Sequence, residues 1–383
     1  MEVHGSSLPG PGVKCGLAGA PDGDRSVPAW SVRRARIRAF DLMEGDMLRY
    51  FKPLLGAVLG GLIAGSPAWA AEFTAKLGSQ DPPTTAKHRG LLKAAELVKQ
   101  RTNGAIEISV FPSSQLGGAR EMAEGTQLGT LEMMIAPASF LGGFNPAVSI
   151  FDVPYIFPSD REKSRQLREG PFGQAVLESF RKRGFEPIAL WSGGRKQFTS
   201  NKPLDDLNAF AGQRFRVMDS KILIKQFDAL GASAIVLPFG ELYTALQNGV
   251  IEGQENPLDI IQKMKFFEVQ KNLLVTDHGA IVEVILTNPK WMARLPAKHR
   301  EVIKTAFREV APEVAQGKEA DAAKSLEFFK SAGINVRVAS EAERANLRKM
   351  IYPASRDAYI GQAGAEGKAL IDLYEKELQG LNR

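Results

Sequence analysis

The sequence predicts an α/β protein built in two domains. Three observations carry that expectation. A strand, a helix and a second strand follow one another in about forty residues from Phe73, a βαβ unit whose strands should be parallel neighbours. The pattern starts afresh after Gly193-Gly194. The chain is also long enough, at 383 residues with 44% hydrophobic side chains, to fill two cores.

The first strand is FTAKLGS, where Phe73, Ala75 and Leu77 alternate with polar neighbours until Asp81-Pro82-Pro83 stops it. Thr84 or Thr85 can cap the helix that follows, whose Leu91, Ala94, Ala95 and Val98 share a face before Asn103-Gly104. IEISVF is the second strand. The Gly-rich turn PSSQLGGAR lies at its carboxyl end, where open α/β sheets place ligands, and a helix should run from about Ala119 to Leu128. LEMMIAP is a third strand, and the aromatic and proline-rich FDVPYIFPSD suits a pocket wall or a buried loop.

Phe172, Ala175, Val176 and Phe180 mark the next helix, and FEPIALW is a strand expected to end at Trp191-Ser192-Gly193-Gly194. Beyond it come the short strand GQRFRVM, a helix with Leu223, Phe227 and Leu230, and the strand AIVLP. From Phe239 to His278 two helical patterns flank an elbow, Gln254-Glu255-Asn256-Pro257. Gly249 stands where a helix end needs positive φ. Asn256 suits an N-cap and Pro257 the first helical position, so a helix is predicted from Pro257 to about Lys271. AIVEVILTN is a long strand able to cross back to the first domain. From Pro296 to Gly380 the pattern is helical apart from INVRV, with Pro353 expected to break or kink the final helix.

The first 70 residues stand apart. Met47 to Lys52 is a short basic segment, Leu54 to Ala64 an apolar run too short to span a bilayer, and Ala68-Trp69-Ala70 the pattern signal peptidase reads. Residues 47–70 are therefore read as a cleavable export signal, in preference to an uncleaved anchor, and residues 1–46 as an upstream extension outside the native product. The one cysteine, Cys15, falls in that extension. The net charge of +6 comes without long basic runs, which gives no footprint for nucleic acid.

Catalytic and cofactor motifs are missing. HExxH, GxSxG, GxGxxG and GxxxxGK[ST] are all absent and the histidines are scattered, so no cofactor, no metal and no catalytic residue are expected. A binding scaffold fits better than an enzyme. What the sequence does offer is cationic and polar groups at the ends of elements. Arg214 and Arg216 should share one strand face, and a guanidinium in a cleft can grip a carboxylate through two parallel hydrogen bonds, although a surface ion pair would explain the same pattern. Asn256 can donate to a ligand or merely cap its helix. Arg195 and Lys196 follow the two glycines as a cleft pair or a solvated one. Phe239 and Trp191 are pocket walls or core, and His88 is a first-turn residue of a surface helix carried as a further contact.

Taken in order, IEISVFPSSQLGG, FTSNKPLDDLNAFAGQRFRV and the ungapped run from Phe239 to His278 resemble the substrate-binding proteins of tripartite ATP-independent periplasmic (TRAP) transporters, the DctP-like family. The resemblance implies a two-lobed periplasmic binding protein-like fold, with crossing strands and a long helix bracing both lobes. It places residues 71–193 plus about 282–321 in the first lobe, and 194–281 plus about 322–383 in the second. It also implies capture of an organic acid in the cleft and delivery to small and large membrane subunits of a permease. Arg216 matches the arginine that grips the substrate carboxylate, Asn256 matches the asparagine of the QENP motif, and Phe239 resembles a pocket wall. Departures fall at Lys196, where many members carry arginine, at Pro137, and at Asp277, so a monocarboxylate or sugar acid stands beside sialic acid and C4-dicarboxylates as ligand. The final helix braces its own chain in a monomer or exchanges in a helix-swapped dimer. Two other readings are an exported enzyme acting on small carboxylates and a soluble ligand-sensing receptor domain.

Overall fold

The computed structural model describes residues 71–382; the expected export signal, the upstream extension and Cys15 lie outside them. Its first elements follow the apolar pattern closely. Strand β1 (Phe73–Gly78), helix α1 (Ala86–Arg101), strand β2 (Ile106–Phe111), helix α2 (Ala119–Leu128) and strand β3 (Met133–Pro137) form as expected, with β2 and β3 both parallel to β1. Thr85 caps α1 by accepting from the His88 amide. A short helix α3 (Arg161–Glu169), which no apolar stripe announces, precedes α4 (Pro171–Glu178).

The next strand corrects an expectation. Gly193-Gly194 does not end it: β4 runs unbroken from Glu186 to Ser200, and the glycines sit in a bulge against its neighbour. Gly194 has φ +102°, a conformation open to glycine, so the strand bends there instead of stopping. Strand β5 (Arg214–Val217), helix α5 (Lys221–Ala229), strand β6 (Ser233–Val236) and helix α6 (Leu242–Gln247) follow, and Gly249 takes the expected positive φ.

The elbow differs as well. Gly253–Pro257 is a strand, β7, antiparallel to β4 and parallel to β5. Asn256 is therefore no helix cap. Pairing on both edges outweighs the local Asn-Pro preference, and helix α7 begins only at Leu258, ending at Lys263 before a separate turn of helix, α8 (Phe266–Val269). Strand β8 (Asn272–Thr287) pairs with β4 along almost its whole length. Helix α9 (Pro289–Arg294), the 35-residue α10 (Ala297–Ser331), strand β9 (Asn335–Val338) and α11 (Glu341–Leu381) complete the chain. The interruption in α11 lies at Gly364 (φ 60°, ψ −139°); Pro353 is accommodated inside the helix.

The strands make one mixed sheet in the order β2-β1-β3-β8-β4-β7-β5-β6, with β9 beside β8. β4 and β8 are central and shared, so each lobe is one half of this sheet with its own packing. Trp191, Phe307 and Val314 belong to the core around β1, α1 and α10, whereas Phe198, Phe215 and Phe227 build the core beside β5 and α5. Helix α10 reaches from the first core to the Phe329 cluster in the second lobe. α11 is divided too. Leu347 and Ile351 pack in the second lobe, but Tyr359, Leu370, Ile371 and Tyr374 pack on the first, so the expected assignment of 322–383 to the second lobe does not hold for this half of the helix.

Candidate functional site

Between the two halves lies a cavity of about 370 Å³ of atom-free space, counting its open mouth. The second lobe lines it with Arg216, Met218, Phe239, Asn256 and Ile260; Gln80, Asp81, Pro137, Phe140 and Glu283 come from the first.

Arg216 alternates with Phe215 and Val217, which are buried in the core, and is itself 1% exposed. Its Nε and Nη2 both donate to the Leu237 carbonyl, at 2.9 and 2.8 Å, and its Cζ lies 5.9 Å from the Phe140 ring centre. No carboxylate pairs with it among the described residues. Burial pulls its pKa down to about 10, against the opposing pull of Glu255, so it is cationic at neutral pH. A buried cation held by a single carbonyl is costly until an anion arrives. Arg214, on the same strand face, is instead at the surface with Glu252.

Asn256 donates from Nδ2 to Gln254 Oε1 at 2.5 Å, and Gln254 in turn donates to Thr199. This chain orients the amide toward the cavity from a strand and not from a helix start. Phe239 packs edge-on to Phe266 and forms a wall.

The other four predicted residues lie elsewhere. Lys196 is buried in an ion pair with Glu255 (2.5 Å), whose second oxygen is bonded by His278 Nε2 and Gln226, each at 2.8 Å. Burial pushes the Glu255 carboxyl up, but Lys196 and His278 outweigh it and hold it at about 2. His278 stacks flat on Phe198 and bonds Thr276 through Nδ1; burial keeps it neutral by lowering its pKa. Lys196 is thus neutralised within the second lobe and does not line the cavity. Arg195 faces away, donating to the Phe157 and Pro158 carbonyls and to Ser164. Trp191 is fully buried core, its indole N–H on the Phe307 carbonyl at 2.8 Å. His88 is buried rather than on a surface face, and is absent from the lining.

Its neighbour Lys87 is what serves the site. Lys87 Nζ lies 2.9 Å from Asp81 and 2.8 Å from Glu283, and these two carboxylates outweigh burial to raise its pKa. Burial pushes Glu283 up while Lys87 pulls it back. Lys318, on α10, pairs with Asp259 at the cavity edge. The sequence carried a mark of both missed groups. Lys87 stands four residues before Leu91 on the apolar face of α1, and Glu283 interrupts the apolar run of β8.

The model of the bacterial extracellular solute-binding protein family 7, DctP, matches residues 77–362. The chain belongs to this family. A C4-dicarboxylate-binding periplasmic protein DctP of Rhodobacter capsulatus is 33% identical over 326 residues, 84% of this chain and 97% of that protein. A TRAP periplasmic solute-binding protein from Desulfovibrio salexigens, solved with bound orotic acid, is 53% identical with a TM-score of 0.78, covering 79% of this chain and 98% of that one. Another, from Sulfurospirillum deleyianum with bound succinate, is 32% identical with a TM-score of 0.72, covering 80% and 99%. This DctP-family protein is therefore a two-lobed solute-binding receptor of the TRAP transporter type, and not an enzyme. Among the described residues no helix is long and apolar enough to cross a membrane.

Proposed function

We propose that Arg216 anchors one carboxylate of the ligand inside the closed cleft, with Asn256 ordering a further oxygen and Phe239 forming a wall. The observation that carries this reading is the unpaired, buried guanidinium whose Nη1 has no hydrogen bond among the described residues. Lys196 acts indirectly, by neutralising Glu255 so that its charge does not compete for Arg216. Arg195, Trp191 and His88 shape the lobes without touching the ligand. A cyclic acid with one carboxylate, orotate or a relative of it, is the first ligand to test, because the Desulfovibrio protein solved with orotic acid is 53% identical and the walls Phe140, Phe239 and Ile260 offer apolar faces to a ring. The ligand-loaded form is delivered to the small and large membrane subunits of the permease by a monomer exported through residues 47–70.

Removing one partner of a buried charge-assisted pair costs about 2 to 5 kcal/mol, or roughly 30- to 4,000-fold in affinity. Arg216→Ala should therefore lose tight binding of the acid in calorimetry while keeping its thermal transition. Unchanged affinity would refute the assignment.

A further inference from the structure

Glu283 presents an unsolved problem in the first lobe. It is 4% exposed, Lys87 occupies its Oε1, and its Oε2 has no hydrogen-bond partner among the described residues. A buried carboxylate oxygen left unmatched is costly, and Glu283 is one of the residues lining the same cavity that Arg216 enters from the second lobe. The surroundings also fix the sign of what can satisfy it. Asp81 and Glu283 share the single ammonium of Lys87, so this wall keeps one negative charge in excess, while Arg216 across the cleft lacks an anion. The two faces are complementary to one molecule, acidic at one end and a hydrogen-bond donor at the other.

We propose that Glu283 is the specificity-determining residue of the site: its Oε2 accepts a hydrogen bond from an N–H or O–H of the ligand whose carboxylate rests on Arg216, and it turns away acids with a second carboxylate. The proposal rests on the Arg216 reading. A second carboxylate brought against Asp81 and Glu283 would be repelled at short range, and a buried unpaired acceptor would remain. Met218, Phe239, Ile260 and Ile281 offer apolar faces to a ring, while Gln80, Asn256 and Lys318 are polar groups that could meet hydroxyls, so the experiment decides between the two donor types.

Calorimetry on the purified protein and on Glu283→Gln, with orotate, its two singly N-methylated derivatives, galactonate and succinate, tests this. The amide keeps the shape and an oxygen for Lys87 but replaces the charged acceptor with an N–H, which clashes with a ring N–H and leaves a hydroxyl only a neutral hydrogen bond in place of a charge-assisted one. A hydrogen bond to a charged group corresponds to roughly 10- to 100-fold in affinity. The wild type should bind orotate or galactonate at least about tenfold more tightly than succinate, and Glu283→Gln should lose that preference with succinate unchanged or improved. Orotate ahead of galactonate, with a loss on methylating one ring nitrogen, identifies a ring N–H as the donor; galactonate ahead identifies a hydroxyl. Succinate binding as tightly as the better of the two, or Glu283→Gln holding that ligand within about twofold of wild type, would overturn the proposal. Should Glu283→Gln fail to fold, the wild-type ranking decides by the same criteria. Arg216→Ala with intact binding sinks the anchor reading whatever Glu283 does, and no heat with any of these acids sinks both.

Discussion

Arg216 and Lys196 are both buried cations of the second lobe, and only Lys196 has a carboxylate. That difference separates the proposed ligand anchor from a structural ion pair. Glu255→Ala would leave Lys196 uncompensated, and breaking a buried pair costs about 3 to 5 kcal/mol, to be read as a lower denaturant midpoint at pH 7. The pH dependence follows from the direction of the shifts. Glu255 ionises at about 2 in the fold against 4.5 in the open chain, so its contribution, on the order of 3 kcal/mol, is complete above pH 4.5 and is lost as pH falls toward 2. His278, held neutral, acts in the same direction from pH 6.5 downward, because the unfolded chain takes up a proton that the fold refuses. Asp152 and Glu283, whose carboxyls burial pushes up, oppose this trend. The stability gap between wild type and Glu255→Ala should therefore narrow between pH 7 and pH 3, and a constant gap would contradict the pairing.

At the scale of elements, the site depends on how closely β5 and β7 approach. Arg216 is in register with Gln254, and Phe215 with Gly253. A Cβ on Gly253 would come within 2.3 Å of the Phe215 ring and 2.7 Å of the Thr199 carbonyl. Gly253→Ala should thus destabilise by about 1 to 3 kcal/mol and weaken acid binding as well, since separating the strands displaces both Arg216 and Asn256; urea unfolding and calorimetry on the same sample measure the two effects. These elements were unequally legible in the sequence. β1, α1, β2 and α2 are set by local apolar periods and local caps, so their positions could be read directly. β7 and the passage of β4 through Gly193-Gly194 are set by strands far away in sequence, and Asn-Pro and Gly-Gly taken alone favour the opposite reading. The motif marks Arg216, the proposed anchor. Glu283 is marked only as a carboxylate interrupting an apolar strand, and gains meaning when Lys87 and Asp81 are placed beside it.

At the scale of the molecule, β4 and β8 pass between lobes while α10 runs alongside both. Lys318 and Lys263 tie α10 to α7 through Asp259 and Asp321, and Phe329 packs in the second lobe's core, so the helix holds that lobe by both polar and apolar contacts while its earlier turns pack in the first. Motion is then expected where β4 bends at Gly194, with each lobe keeping its core. Small-angle scattering should show the radius of gyration falling when a bound acid is added to wild type and staying constant in Arg216→Ala. No change in wild type would mean a cleft that does not close.

The described residues hold two tryptophans, Trp191 and Trp291, and both are buried in the first lobe with their indole N–H groups on backbone carbonyls. Intrinsic fluorescence therefore watches one half of the molecule. Its emission follows the melting of that half and stays dark to events in the other, so a flat titration curve is no evidence of an empty cleft. A fluorophore introduced at Phe239 would put a lamp in the wall of the interlobe cavity.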